Sequence, residues 1–149
     1  MLSIRKVSVQ CILGIAQLAD GRKLKAEIEI SSWGFEMEGN HVVLKEKKKA
    51  CFVELAGITH IRAMDHYAVL YTCCGKHLLR RSLAEIEDKL YSHGFVRIHR
   101  SYIISVSHIK EIEDGWIILD DEGATEIPVG ADYEGHLMEA VKKKGYIFL

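Results

Sequence analysis

The segment from Gly94 to Ile112, GFVRIHRSYIISVSHIKEI, is rich in basic side chains and has no carboxylate before its last two residues. Its β-branched and aromatic residues are interspersed with Arg97, His99, Arg100 and His108. A half-buried strand needs apolar side chains on one face, but it does not need cations at one end. Guanidinium groups donate paired hydrogen bonds to phosphate oxygens and to the O6 and N7 atoms of guanine. The segment therefore indicates nucleic-acid binding, and the alternative is ion pairing of these arginines with Glu85, Glu87 or Asp88.

A second group of reactive side chains comprises Cys73, Cys74, His66 and His77. Adjacent cysteines on a strand point to opposite faces, so both cannot easily bind one ion, and we predict no metal site. The sequence contains no GxSxG, Walker A, GxGxxG or HExxH motif, so we expect neither an enzyme nor a cofactor. A small β domain that binds a ligand through these cysteines and histidines is a further alternative.

The formal net charge of −1 conceals an uneven distribution along the 149 residues. Residues 1–39 are neutral, residues 40–110 carry +6, and residues 111–149 carry −7. A central basic block of this kind can follow an anionic polymer such as DNA. The alternative is that these charges alternate around a solvated surface.

The composition is that of a globular protein, with 48% hydrophobic residues and no apolar run long enough for a membrane helix. The four cysteines include no CxxC pair, which favours a reducing compartment over a disulfide scaffold. We therefore expect a cytoplasmic protein without a membrane partner.

Alternating apolar and polar residues predict β-hairpins in the first half of the chain. Residues 7–30 are predicted to form one hairpin, with a turn at Asp20–Gly21 and a strand over Leu24–Ile30. Residues 41–55 are predicted to form a second hairpin, with a basic tip at Lys45–Lys49. Further strands are predicted in VRIHRSYIIS, HIKEIEDGWIILD and GATEIPVG.

Two helices interrupt this pattern. Leu83, Ile86 and Leu90 have helical spacing, and Ser82 with Glu85 forms a capping box. Gly94 suits the left-handed position after this helix. A C-terminal helix is predicted from the apolar spacing of Tyr133, Leu137 and Val141, with Asp132 as its N-cap.

Together these segments resemble the LytTR family of bacterial DNA-binding domains. The resemblance rests on ITHIRAMDHYAVLYT, SLAEIEDKL, FVRIHRSYIISVSHIKEI and IPVGADYEGHL, which follow the family's order and spacing. It covers residues 41–144, and FxRxHRSYI after a short helix is its most specific part. It implies a mostly β (α+β) fold, an elongated antiparallel β structure with one short central helix and a C-terminal helix. Residues 1–39 are then a β-rich extension of uncertain role, and residues 40–149 are the DNA-binding domain.

The resemblance also implies a function, that of a transcription regulator which inserts loops into the major groove of duplex DNA, usually at direct repeats near promoters. Bases face three segments in such domains: Asp65–Tyr67, then Arg100 with Arg97 and His99, then Gly130–Asp132. Within the first segment, His66 and Tyr67 are the candidate contacts. The side chains that can neutralise phosphates are Lys76, Arg80, Arg81 and Arg97.

This chain departs from the family pattern in three places. The family commonly has serine and arginine after IPV, whereas this chain has Gly130, Ala131 and Asp132, and Ser105 replaces a usual asparagine. There is no receiver-domain pattern, so we expect a stand-alone regulator that acts as a homodimer or with a regulatory protein partner. We expect weaker or less selective DNA binding than in a typical member, or binding that depends on a dimer. The alternative function is a LytTR-like protein-interaction module that acts through other regulators.

Overall fold

The computed structural model describes residues 9–12, 15–18, 34–45 and 50–146. Every strand pairing within these residues is antiparallel. The strands are β1 (Val9–Ile12), β2 (Ile15–Leu18), β3 (Gly34–Glu38), β4 (His41–Lys45), β5 (Ala50–Glu54), β6 (Ile58–Met64), β7 (Tyr67–Thr72), β8 (Gly75–Leu79), β9 (Phe95–His99), β10 (Tyr102–Ser105), β11 (Ile109–Glu113), β12 (Trp116–Leu119) and β13 (Glu126–Pro128). The helices are α1 (Leu83–Leu90) and α2 (Glu134–Lys143). The predicted antiparallel β fold with a short central helix and a C-terminal helix is confirmed.

The strands form a hairpin of β1 and β2 and three larger sheets. The larger sheets have the strand orders β3-β4-β5, β8-β7-β6-β10-β9 and β11-β12-β13. The predicted second hairpin is confirmed as β4 and β5. The predicted single hairpin over residues 7–30 was wrong, because β1 already pairs with β2 within residues 9–18. The predicted turn at Asp20–Gly21 and strand at Leu24–Ile30 lie outside the described residues. The proposed boundary between residues 39 and 40 falls in the turn between the paired strands β3 and β4.

The central five-stranded sheet separates two hydrophobic cores. The first core joins this sheet to α1 and to β4 and β5, and it contains Val42, Leu44, Val53, Ile58, Ile61, Ala68, Leu70, Leu79, Leu83, Ile86, Leu90, Phe95 and Ile103. The second core joins β9 and β10 to β12, β13 and α2, and it contains Val96, Ile98, Ile104, Val106, Ile117, Leu119, Ile127, Leu137 and Val141. Strands β9 and β10 therefore bury side chains on both faces, which fixes their position firmly in the molecule.

Helix α1 begins and ends as the sequence predicts. The Ser82 side chain accepts from the Glu85 backbone N–H, and the Glu85 carboxylate accepts from the Ser82 backbone N–H. These bonds satisfy donors that a helix start would otherwise leave unpaired. After one further 3₁₀ turn, Gly94 has a φ of 85°, the left-handed conformation that glycine adopts without steric cost.

The stretch VRIHRSYIIS is not one strand. It forms β9 and β10, which pair with each other and are joined by a turn at Arg100–Ser101. The pairing runs from Tyr102 opposite His99 to Ile103 opposite Arg97, so the register skips Ile98. The prediction of a continuous strand failed because the apolar alternation continues through the turn and there is no glycine or proline to mark it.

The predicted N-cap role of Asp132 was wrong. Residues Ala131–Tyr133 form a 3₁₀ turn, and α2 starts after Tyr133 without any side-chain cap. The tertiary fold overrides the local signal here, because the 3₁₀ turn begins at Gly130, which is tied to β9 by a backbone hydrogen bond from its N–H to Ile98 O (2.8 Å). Among the described residues, no helix has the length and apolar character needed to cross a membrane.

Candidate nucleic-acid interface

The three segments predicted to face DNA lie at one end of the central sheet. Strands β6 and β10 are antiparallel neighbours, so the β6–β7 turn at Asp65–His66 lies beside the turn at Arg100–Ser101. The Ala63 N–H joins the two by donating to Ser101 O at 2.8 Å. The bond from Gly130 to Ile98 brings the third segment to the same end. Sequence positions 65, 100 and 130 thus become neighbours only through strand pairing.

The side chain of Arg97 holds the Arg100 turn in place. Its Nη2 donates to the Arg100 carbonyl oxygen at 2.5 Å, and its Nε donates to His99 O at 3.4 Å. Its Nη1 lies 3.6 Å from Glu87 Oε1, on α1. The side chain is 21% exposed, so most of its surface contacts protein. Arg97 therefore makes the ion pair that was the alternative prediction, and it also fixes the backbone that presents the exposed Arg100 side chain.

His99 orders the same turn from the other side. Its Nδ1 accepts from the Ser101 N–H at 3.1 Å, which leaves Nε2 as the protonated nitrogen of the neutral ring. Its ring meets Tyr102 edge-on, with centroids 5.6 Å apart. The Arg62 guanidinium lies 6.0 Å from the Tyr102 centroid, on the neighbouring strand. Arg62 was missing from the predicted contacts, although it is the one exposed residue after four buried ones in β6.

Arg80 and Tyr67 extend the basic surface across the sheet. Arg80 follows the end of β8, and its guanidinium lies 6.0 Å from the Tyr67 ring centroid. Arg81 is more constrained, because its Nη1 lies 3.3 Å from Glu85 Oε2. Hydrogen bonds to Glu85 from the Ser82 backbone, the Ser82 hydroxyl and Arg81, in that order of size, lower the pKa of the Glu85 carboxyl.

Two predicted cations lie elsewhere. Lys76 is opposite Tyr71 at the far end of β8, with Nζ 5.3 Å from the Tyr71 ring centroid. Arg80 is four positions further along the chain, about 13 Å away in an extended strand. His108 lies at the same distant end and joins the third sheet to the turn before β6, with Nδ1 2.8 Å from Asp120 Oδ1 and Nε2 2.6 Å from Ala56 O.

The third segment, Gly130–Asp132, lies at the same end of the sheet as Arg100 but carries no basic side chain. Ala131 and Asp132 are exposed, so their side chains face solvent beside the Arg100 turn. At Gly130 an added Cβ would lie 3.0 Å from Tyr133 Cδ2 and 3.8 Å from His99 Cα, so a serine there would require the Tyr133 ring to shift by a few tenths of an ångström. Asp65, in the first turn, adds a second carboxylate and has a φ of 54°, a conformation that aspartate tolerates better than most residues.

His60 is a buried, structural residue. It is 5% exposed, stacks on Tyr71 with centroids 4.2 Å apart, and lies 2.9 Å from the Thr59 hydroxyl through Nδ1. Desolvation by burial lowers its pKa from 6.5 to about 4, against the opposing effect of Asp121. His60 is therefore neutral at neutral pH and adds no positive charge to the surface.

The reason given above against a metal at Cys73–Cys74 was wrong. These residues lie in the turn between β7 and β8 rather than on a strand, and their Sγ atoms are 3.4 Å apart. Within the described part of the chain, however, no group of three or more His, Cys, Asp or Glu residues could hold a metal ion.

Comparison with known proteins identifies the fold and a family. A family model described as "LytTr DNA-binding domain" matches residues 48–142. The structure is similar to the LytTr DNA-binding domain of a putative methyl-accepting/DNA response regulator from Bacillus cereus, with a TM-score of 0.57 and 24% identity, covering 73% of this chain and 100% of that one. At this identity the likeness shows the fold alone.

Curated relatives share part of their length with this chain. The CO-responsive transcriptional regulator RcoM of Rhodospirillum rubrum is 35% identical over 83 residues, which are 53% of this chain and 35% of RcoM. The sensory transduction protein LytT of Bacillus cereus is 23% identical over 125 residues, which are 80% of this chain and 50% of LytT. The chain thus spans between a third and a half of the length of these relatives.

Proposed function

The chain belongs to the LytTR family of DNA-binding domains, and from that premise we propose that it regulates transcription by sequence-specific binding of duplex DNA. The sheet end that carries the Asp65–His66 and Arg100–Ser101 turns enters the major groove. The observation that carries this proposal is the Arg100 turn, whose backbone is fixed by Arg97 while the Arg100 side chain stays exposed.

The side chains divide into three roles. Arg100 reads guanine through its paired donors, and His66 contacts a base edge or a phosphate beside it. Phosphates are contacted by Arg80, by Arg81 and, from the distant end of the sheet, by Lys76. Arg62, Tyr67, His99 and Tyr102 support the surface between these contacts. We assign Arg97 to positioning, because its donors already serve two carbonyl oxygens and a carboxylate.

We also propose that this regulator acts in the cytoplasm on direct repeats near promoters. Ala131 and Asp132 supply no cation at the third segment, so each copy gains less from that segment than a family member with arginine there. A homodimer on two repeats, or a regulatory protein partner, would compensate by raising the effective concentration of the second domain.

Fluorescence anisotropy with a randomised duplex library, followed by sequencing of the bound fraction, tests this function. If about six phosphates are contacted, log K falls with log salt with a slope of about −5 between roughly 50 and 200 mM salt. An enriched repeat with a steep slope supports the proposal. Binding that is absent at the lowest salt refutes it.

Arg100→Ala tests the base-reading role on the enriched site. A lost bidentate guanine contact weakens that site by about 1–3 kcal/mol, or roughly 5-fold to 150-fold, and leaves unrelated duplexes nearly unchanged. Lys110→Ala is the matched control, because Lys110 is an exposed cation next to His108, at the opposite end of the sheet. Equal losses on all duplexes would contradict base reading by Arg100.

A second function is favoured by one observation on the third sheet. On the β11–β12 hairpin, Trp116 is 45% exposed on one face and Ile112 is 42% exposed on the other. Exposed aromatic and aliphatic side chains are typical of protein-binding surfaces. If the chain binds no DNA, the interaction module that acts through other regulators becomes the better assignment.

A further inference from the structure

The turn between β7 and β8 presents two thiols side by side. The Sγ atoms of Cys73 and Cys74 are 3.4 Å apart, and both residues are exposed. The proposed DNA contact does not use these thiols. Both sulfurs are therefore accessible from solvent to the same thiophilic atom of a ligand.

Backbone hydrogen bonds fix this turn before any ligand arrives. The Cys73 N–H donates to Gly57 O at 2.9 Å, and the Cys74 N–H donates to the Thr72 hydroxyl at 3.1 Å. The Thr72 hydroxyl in turn donates to Gly75 O at 3.0 Å. The Cys73 sulfur lies over Gly57, 3.4 Å from the point that a Cβ would occupy there. Little chain entropy remains to be lost when both sulfurs bind one centre.

The sulfur separation selects the geometry of that centre. With bonds of about 2.3 Å, as for zinc and thiolate, sulfurs 3.4 Å apart subtend an angle of about 95°. A tetrahedral centre with the same bonds holds its sulfurs about 3.8 Å apart, and a linear centre about 4.6 Å apart. A pyramidal trivalent centre such as arsenic(III) binds its ligands close to right angles, and it fits the observed spacing best.

The number of available protein ligands also favours a trivalent centre over a zinc ion. A structural zinc ion uses four protein ligands, whereas the described residues contain no group of three or more His, Cys, Asp or Glu that could hold a metal ion. A trivalent arsenical that keeps one organic substituent needs two sulfurs only. Soft thiophilic centres prefer thiolate sulfur over the oxygen and nitrogen ligands nearby.

We infer that Cys73 and Cys74 together form a chelating site for a trivalent thiophilic centre of the organoarsenical class. With phenylarsine oxide, each sulfur forms one bond to arsenic and the arsenic–oxygen bonds break. The two thiol protons leave with that oxygen as one water molecule, and the arsenic stays trivalent. The Cys74 thiol, as hydrogen-bond partner and neighbouring charge, raises the pKa of Cys73, which favours the protonated Cys73 thiol that this exchange consumes.

Titration of the reduced 149-residue chain with phenylarsine oxide tests this inference without DNA, so its outcome is independent of the proposed regulatory function. We expect one arsenical per chain, loss of two of the four titratable thiols, and an intact mass increased by the arsenical less one water. Cys73→Ser and Cys74→Ser each abolish binding that survives excess monothiol. Cys51→Ser, the matched control, binds as the wild type does.

Reversal by thiols distinguishes chelation from attachment to one sulfur. The dithiol 2,3-dimercaptopropanol removes the arsenical, and the same thiol concentration of 2-mercaptoethanol does not. Complete reversal by the monothiol overturns the inference. So does full binding by Cys74→Ser, or loss of binding in Cys51→Ser with Cys73 and Cys74 intact. Far-UV circular dichroism of each variant confirms that a loss of binding is not a loss of fold.

Discussion

Replacing Arg97 by methionine tests whether Arg97 positions the Arg100 turn or contacts a DNA phosphate itself. If Arg97 positions the Arg100 turn, Arg97→Met weakens binding of the preferred site without removing a phosphate contact. If Arg97 itself contacts a phosphate, the same change makes the salt dependence shallower by about 0.9. Methionine keeps an unbranched apolar stem in place of the arginine methylenes, and it removes the charge and the donors.

The geometry sets the size of the effect. The bond from Nη2 to Arg100 O, at 2.5 Å, is charge-assisted and worth about 1.5–3 kcal/mol. The bond from Nε to His99 O, at 3.4 Å, is too long to add much. The 3.6 Å pair with the 38% exposed Glu87 contributes about 0–1 kcal/mol. Loss of these contacts in Arg97→Met then weakens the binding free energy for the preferred site by about 2 kcal/mol, which corresponds to about 30-fold in affinity.

The assay is anisotropy at several salt concentrations, with the preferred duplex and a scrambled duplex. We expect Arg97→Met to bind the preferred duplex about 30-fold more weakly, with an unchanged slope and little change on the scrambled duplex. Glu87→Gln, which leaves both carbonyl contacts in place, should change affinity by less than about fivefold. A slope shallower by about one unit refutes the positioning role, and unchanged affinity refutes any role in the turn.

Three further changes test the third segment, the buried histidine and the helix cap. Ala131→Arg should tighten DNA binding and steepen the salt slope by about 0.9 in the same anisotropy assay, because residue 131 is exposed beside the Arg100 turn; looser binding would contradict that placement. Burial lowers the pKa of His60 to about 4, so only the unfolded state gains a proton as the pH falls from 6.5 to 4. The free energy of unfolding should fall by up to about 3 kcal/mol across that window, and His60→Gln should flatten the change in urea melts. Ser82→Ala should lower the stability of the fold by about 1 kcal/mol in the same melts, with DNA affinity unaffected.

Features set by neighbouring residues were predicted well from the sequence. The capping box of Ser82 and Glu85, the αL glycine at position 94 and the apolar spacing of Leu83, Ile86 and Leu90 all depend on contacts within about one helical turn. These three predictions are confirmed, because the tertiary fold adds no competing interaction at this helix. Alternation also predicted the hairpin of β4 and β5, since a side-chain period of two is local as well.

Features set by strand pairing were not predictable in this way. The split of VRIHRSYIIS into β9 and β10 follows from the antiparallel pairing of these strands across the Arg100–Ser101 turn, which the continuing apolar alternation does not mark. The convergence of the Cys73 and Cys74 sulfurs follows from the end of β7 at Thr72, which is fixed by its partner strands. Asp132 is not the N-cap of α2, because it lies in a 3₁₀ turn that follows Gly130, and Gly130 is hydrogen-bonded to β9.

The sequence by itself determined the antiparallel β class, the two helices, and the side chains that could bind an anion. The tertiary structure alone decided which of those side chains act together. It placed Arg100, His66, Arg80 and the missed Arg62 at one end of a sheet, and it placed Lys76 and His108 at the other. It also turned Arg97 inward to hold a carbonyl. The reason is that register and strand order join residues more than 30 positions apart, as in the bond from Ala63 to Ser101, and no local pattern encodes such a distance.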